Sequence, residues 1–159
     1  MKINVKLDEN AIMPQKAYET DGGFDLLAPD DFTVPCTYNV PQSDGTTEWI
    51  PMAPGCKIGS ATIDTGVHMA IPAGYVGMIK SKSGLNVKHG IIADGTIDAG
   101  YTGSIKVKLY NLSNDTYKFN KGDKITQIVI LPIPYVELEQ VDELPETDRG
   151  EGGFGSTGR

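Results

Sequence analysis

Ile105, Val107 and Leu109 alternate with Lys106, Lys108 and Tyr110, and this strict period of two is what most limits the folds open to the chain. A helix would scatter those three apolar residues around its circumference. An antiparallel strand gathers them on one buried face and leaves the lysines in water. The same signature recurs. Ile3, Val5 and Leu7 share a face in KINVKL, and Gly22 and Gly23 turn into the apolar run Phe24–Leu27, which carries one acid, Asp25. ATIDTGVHMAIP and GYVGMIKSKSGL read as two more β-type runs. Ile125, Ile128, Val129, Ile130 and Leu131 predict a buried strand after the tight turn at Gly122 and Asp123, and Val136, Leu138 and Val141 a last one. No helical period extends beyond about two turns. Nineteen glycines and ten prolines among 159 residues, roughly half again the ~12% typical of that pair, favour short strands and turns. One all-β domain is the expectation.

Net charge is −7, so no global attraction to nucleic acid or an anionic membrane exists, and direct nucleic-acid binding is not expected. No apolar run reaches the ~18 residues of a membrane span, and MKINVKLDEN lacks the apolar core of a secretion signal. A cytosolic location is expected. Two cysteines, Cys36 and Cys56, with only His68 and His89, form no zinc-ligand spacing, and free buried thiols are expected. Twelve of the fourteen basic residues are lysines. The two arginines, Arg149 and Arg159, place the chain's best bidentate phosphate chemistry in its last eleven residues.

Several segments carry chemistry as well as shape. In DGTIDAGYTG, Gly95, Gly100 and Gly103 let the backbone approach a ligand, with Asp98 and Tyr101 between them. On this segment alone Asp98 reads first as a turn former bonded to its own backbone. Asp25 reads either as a water-mediated metal contact or as a satisfied strand-edge carboxylate. Lys80, Ser81, Lys82, Ser83 and Gly84 offer charge, hydroxyls and a close backbone, either as a phosphate loop or as a solvated one, and Lys88, His89 and Gly90 continue that loop. Gln127 must bond to backbone or ligand. His68 reads as a strand residue bonded locally. The region from Phe32 to Gly59 reads as a surface hairpin, Cys36 and Cys56 near its base and Trp49 a packing anchor or partner contact. By composition alone RGEGGFGSTGR is a disordered tail.

Five of these segments, AYETDGGFDLLAP, KSKSGL, DGTIDAGYTGSIKVKLYN, KGDKITQIVI and RGEGGFGSTG, resemble in order the motifs of the trimeric dUTP diphosphatase (dUTPase) family. The resemblance implies a jelly-roll-like β subunit over residues 1–148 and an arm over 149–159 that closes on the nucleotide. It implies a homotrimer, with active sites built from several chains. Asp98 would activate a water for attack on the α-phosphorus of dUTP, giving dUMP and pyrophosphate. Tyr101 would fill the space a ribose 2′-hydroxyl needs. Backbone groups of Ile92, Ala93, Asp94, Gly95, Thr96 and Ile97 would read the uracil edge, leaving unpaired polar groups against cytosine and no room for the methyl of thymine. Lys82, Ser83, Gly84, Gln127, Arg149, Gly155, Ser156 and Thr157 would hold phosphates, and Phe154 would stack on the base. Mg2+ would enter on the triphosphate, with Asp25 holding one of its waters.

Two features depart from that pattern. Lys82 stands where the family usually has arginine, keeping charge but losing the planar fork. The 36–56 segment has no counterpart. Two alternatives remain at this level: dCTP deaminase activity on the same fold, alone or with triphosphatase action, and a regulatory protein partner held through the 36–56 hairpin. Asp98 followed by Tyr101 and a complete glycine-rich arm speak for triphosphate hydrolysis over deamination.

Overall fold

The computed structural model describes residues 1–36, 40–41, 47–48 and 58–152. Its elements in chain order are β1 (Val5–Leu7), β2 (Gly23–Leu27), β3 (Phe32–Val34), β4 (Val40–Pro41), β5 (Thr47–Glu48), β6 (Gly59–Asp64), β7 (Val67–Met69), β8 (Tyr75–Lys80), α1 (Ser83–His89), β9 (Ile91–Ile97), β10 (Lys106–Asn111), β11 (Tyr117–Phe119) and β12 (Lys124–Pro132). Six strands form one sheet in the order β2-β12-β8-β9-β10-β6, and β1 with β7, β3 with β11 and β4 with β5 form ribbons beside it. Every pairing is antiparallel. The fold is all-β, as the period-two runs require. No helix among the described residues is long and apolar enough to cross a membrane.

The alternation in β10 does what it predicts: Ile105, Val107 and Leu109 are sealed from solvent while Lys106 and Lys108 face water. They meet Leu26, Ile128 and Phe119 in the main core. Each such side chain contributes about 2 kcal/mol of burial. Asn111, at the buried end of β10, is the polar exception. Its amide nitrogen donates to the carbonyls of Val34 and Asp115, and its oxygen accepts from the Ser113 amide and hydroxyl, tying β10 to β3 and to the following turn.

Several expectations need correction, among them the reading of Phe32–Gly59 as one surface hairpin: Phe32–Val34 is β3, paired with β11, and Val34 is buried. Lys88, His89 and Gly90 do not continue a loop but end α1, where Gly90 adopts φ 63° and donates its N–H to Asn86. That left-handed cap suits glycine, and Lys88 and His89 complement the helix C-terminus. Leu85 is the helix residue packed on the core, so one apolar contact per two turns left little period to read. The segment 135–141 forms no strand: after Ile133 donates to Gly74 the chain leaves the sheet past Pro132 and Pro134, and Tyr135 and Leu138 stand 89% and 97% exposed. Among the described residues its pattern has no partner strand. In β12 Leu131 is exposed, and in the first run only Val5–Leu7 pairs, though Ile3 still packs on the core. Cys36 is a free, half-buried thiol; Cys56 and Trp49 lie outside the described residues.

The base of the 36–56 hairpin is set by close backbone approach. Val40 pairs with Glu48 and Pro41 with Thr47, and a Cβ on Gly59 would lie 1.9 Å from the Pro35 carbonyl and 2.5 Å from that of Cys36. Backbone cannot give way there as a flexible side chain could. Gly59→Ala should therefore cost about 3 kcal/mol or more, whereas Gly84→Ala, which meets open space, should stay within about 0.5 kcal/mol. Urea unfolding at fixed protein concentration checks both, and equal midpoints for the two variants would contradict the packing.

Candidate active site

The site begins where β9 changes partners. Its first half pairs with β10, through Ile91↔Asn111, Ile92↔Tyr110 and Ala93↔Leu109, while its second half pairs with β8, from Asp94↔Lys80 to Ile97↔Gly77. Beyond Ala93 the ladder to β10 stops, although β10 continues alongside β6 back to Lys106. The two strands splay. Between them opens a cavity of about 200 Å³ lined by Thr96, Ile97, Asp98, Tyr101 and Lys106. One edge of Asp94–Ile97 is thus unladdered and borders a slot, the arrangement in which backbone groups can read a flat ring. The first two residues expected to do so are otherwise engaged. Ile92 is laddered to Tyr110, and the Ala93 N–H and C=O are bonded to the Ser81 hydroxyl at 2.9 and 3.0 Å.

Asp98 follows β9 directly, and its carbonyl accepts the Tyr101 N–H at 3.2 Å, closing a tight turn. Gly100 takes φ 83° within it. The Tyr101 ring, 45% exposed, lies over Gly103, where a Cβ would sit 2.5 Å from the phenolic oxygen, and the hydroxyl donates to the Ser104 carbonyl at 3.0 Å. Ser104 in turn donates to Asp64. That bond first, then the Gly66 amide and Lys106, hold the Asp64 carboxyl below the usual range. Asp98 and Tyr101 therefore share the slot, as their spacing suggested.

A second group lies across the sheet. Strand register aligns Asp94, Lys80, Gln127 and Asp25 in one row over β9, β8, β12 and β2. Lys80 bonds Asp94 at 2.5 Å, and this pair keeps the Asp94 carboxyl low. Asp25 is buried, yet each oxygen meets an ammonium: Lys82 at 2.5 Å and Lys124 at 2.7 Å. Burial alone would raise its pKa; hydrogen bonds from Lys124 and Lys82 outweigh it, and the carboxyl stays ionised to lower pH than usual. Lys124 was not anticipated: nothing local marks it, and only the register of β12 on β2 brings it to Asp25. Gln127 donates weakly to the Ser81 carbonyl at 3.4 Å. Ser83 and Gly84 open α1 in solvent, with no side chain capping its first turn.

These residues fit magnesium in a limited sense. Among the described residues no cluster of three His, Cys, Asp or Glu side chains forms, so a protein-only cage is not available. Magnesium takes few carboxylates and several phosphate oxygens and waters, and Asp25 keeps one lone pair on each oxygen for such a water. Arg149 lies in solvent with its Nε on the Gly152 carbonyl at 2.8 Å, part of a turn from Thr147. Phe154, Gly155, Ser156 and Thr157 lie outside the described residues.

Comparison with known proteins places the chain in a family. The family description "dUTPase" matches residues 54–158. The deoxyuridine 5′-triphosphate nucleotidohydrolase of Gloeothece citriformis is 38% identical over 99% of this chain and 97% of its own, and that of Clostridium acetobutylicum 38% over 96% and 93%. Among solved structures, the Staphylococcus bacteriophage 80alpha dUTPase with dUPNHPP superposes with a TM-score of 0.80 at 30% identity, covering 99% of both chains. A dUTPase of phage phi11 of S. aureus, described as coordinating a structural Mg(II) ion, has a TM-score of 0.69 at 28% identity over 90% of this chain and 98% of its own. The splayed hairpin with its aspartate and tyrosine, the family match over most of the chain and full-length relatives of one activity lead to one assignment: the chain is an enzyme of the dUTPase family.

Proposed function

We propose that dUTP binds with its uracil in the β9–β10 slot and is cleaved there to dUMP and pyrophosphate. The observation that carries this reading is the slot itself, an unladdered strand edge ending at Asp98 with Tyr101 opposite. The polar groups of Asp94–Ile97 read the uracil edge, Ile92 and Ala93 shape the slot's closed end, and Tyr101 excludes a ribose by shape. Asp98 takes a proton from a water whose oxygen bonds to the α-phosphorus, the bond from that phosphorus to the bridging oxygen breaks, and pyrophosphate leaves with the electron pair. Among phage 80alpha dUTPase structures solved with dUpNHpp, one carries Asp→Asn and another Tyr→Phe three positions further on, the spacing of Asp98 to Tyr101.

Lys82, Ser83, Gly84 and Gln127 hold phosphate oxygens, with the 149–159 arm closing over them through Arg149, Gly155, Ser156 and Thr157 and stacking Phe154 on the base. Magnesium bound with the triphosphate would neutralise part of its charge, and Asp25 is the residue that would hold it, through a water. Asp98→Asn should still bind dUTP but turn it over at least ~100-fold more slowly. Calorimetry and pyrophosphate release check this, and activity within tenfold of the parent would remove Asp98 from the role.

The site is shared between subunits of a trimer in this reading, and distances within one chain support it. Asp98 lies four residue steps beyond Asp94 of the row that holds Gln127 and Asp25, about 13 Å along the direction of β9, and two to three strand spacings of about 4.8 Å separate them across the sheet. A triphosphate, three phosphorus atoms in a row, is shorter than that. The 36–56 hairpin is proposed as a partner surface; related phage enzymes are described as controlling transfer of virulence genes, and one as carrying a species-specific insert.

Subunit mixing tests the shared site. An Asp98→Asn chain keeps its arm and a chain ending at Asp148 keeps its base, so neither alone should be efficient. After complete exchange at equal amounts, about one site in four would combine a good base with a good arm. Activity near a quarter of the parent is expected; none would mean that base and arm come from one chain.

A further inference from the structure

His68 does not bond locally, as its place in β7 first suggests. Its Nδ1 lies 2.8 Å from the Thr102 carbonyl, in the loop that carries Tyr101, and its Nε2 lies 3.1 Å from Asp8 Oδ2, just past β1. Both partners are acceptors when Asp8 is ionised. A neutral imidazole has one N–H and can satisfy only one of them; the imidazolium satisfies both. The ring is 19% exposed, enough to exchange its proton with solvent.

Three residues of the loop from Asp98 to Ile105 bond to β7 and its flanks, and Ser104 is held separately by the Asp64 carboxylate of β6. Gly100 N–H reaches the Ile71 carbonyl at 3.4 Å, Thr102 meets His68, and Ile105 N–H reaches the Val67 carbonyl at 2.8 Å. The outer two are backbone bonds that do not change with pH. The middle one is a side chain, and it holds the residue next to Tyr101. We propose that His68 is a positioning residue for sugar discrimination: bridging Asp8 and the Thr102 carbonyl, it keeps the Tyr101 ring where a ribose 2′-hydroxyl would need room. This rests on the reading of Tyr101 given above.

The surrounding charges give the direction of the pH effect. The Thr102 carbonyl first and Asp8 second raise the His68 pKa, against partial burial and Lys6, its cross-strand neighbour on β1. On the loop side, the Asp64–Lys106 pair holds Ser104. A group whose folded pKa is raised stabilises its contacts fully below the unfolded value, about 6.5, and loses them as pH rises through the folded value. Discrimination should therefore be greatest in mild acid and fall as His68 deprotonates.

The test is the ratio of kcat/KM for dUTP to that for UTP between pH 5.5 and 9. Phosphate and uracil titrate alike in both substrates and cancel in the ratio. The parent ratio should fall about five- to tenfold across the His68 titration, followed by ring NMR with His89→Gln to assign the signal. His68→Gln should give a low ratio at every pH, and Asp8→Asn should move the fall to lower pH. A flat parent ratio, or a His68→Gln ratio equal to the parent's with only stability lowered, would overturn the proposal and make His68 structural. Tyr101→Ala separates the two readings. If it collapses the ratio while His68→Gln does not, this inference alone fails; if it leaves the ratio unchanged, the Tyr101 reading fails and this one with it.

Discussion

The structure depends on one exchange of hydrogen-bonding partners, the passage of β9 from β10 to β8 at Ala93 and Asp94. A strand laddered on both sides offers a ligand nothing but side chains. By parting from β10 halfway along, β9 keeps the sheet continuous through β8 and frees one edge of backbone. Ser81 makes the transition affordable: its hydroxyl bonds both polar groups of Ala93, so the splay begins with no orphaned amide. The turn that follows places Asp98 and Tyr101 at the mouth of that edge, and Gly103 lets the Tyr101 ring lie flat against the backbone.

Electrostatics complete the arrangement. In a chain of net charge −7, two cations are gathered at one point, Lys82 and Lys124 on the buried Asp25, and in the proposed reading they face the triphosphate. The acid offsets the mutual repulsion of the two ammoniums and leaves one net positive charge. The same carboxylate fixes the Lys82 ammonium without a planar fork.

What could be read in the sequence follows from what periodicity encodes. The alternation of Ile105, Val107 and Leu109 and the glycines around Asp98 are local facts, so the strand, its buried face and the two residues of the slot were legible. α1 was not, because SGLNVKH has one inward apolar residue, Leu85, while Val87 points to solvent. The run at 135–141 was misread as a strand of this sheet for the opposite reason: alternation shows which face a strand would bury, not whether a neighbour exists. Lys124 and the roles of Ser81 and His68 escaped because each acts across strand register or on a loop distant in sequence, His68 reaching 34 residues to Thr102 and 60 to Asp8.

The central claim is that the unladdered edge of Asp94–Ile97 takes the uracil. Amide hydrogen exchange with and without saturating dUMP measures this directly, since the product binds without turning over. Amides in this segment that exchange fast in the free enzyme should slow at least about tenfold on binding, while those of β6, on the far side of β10, should not change. If calorimetry shows dUMP bound and the slowed amides lie elsewhere, the base does not sit in the splayed hairpin.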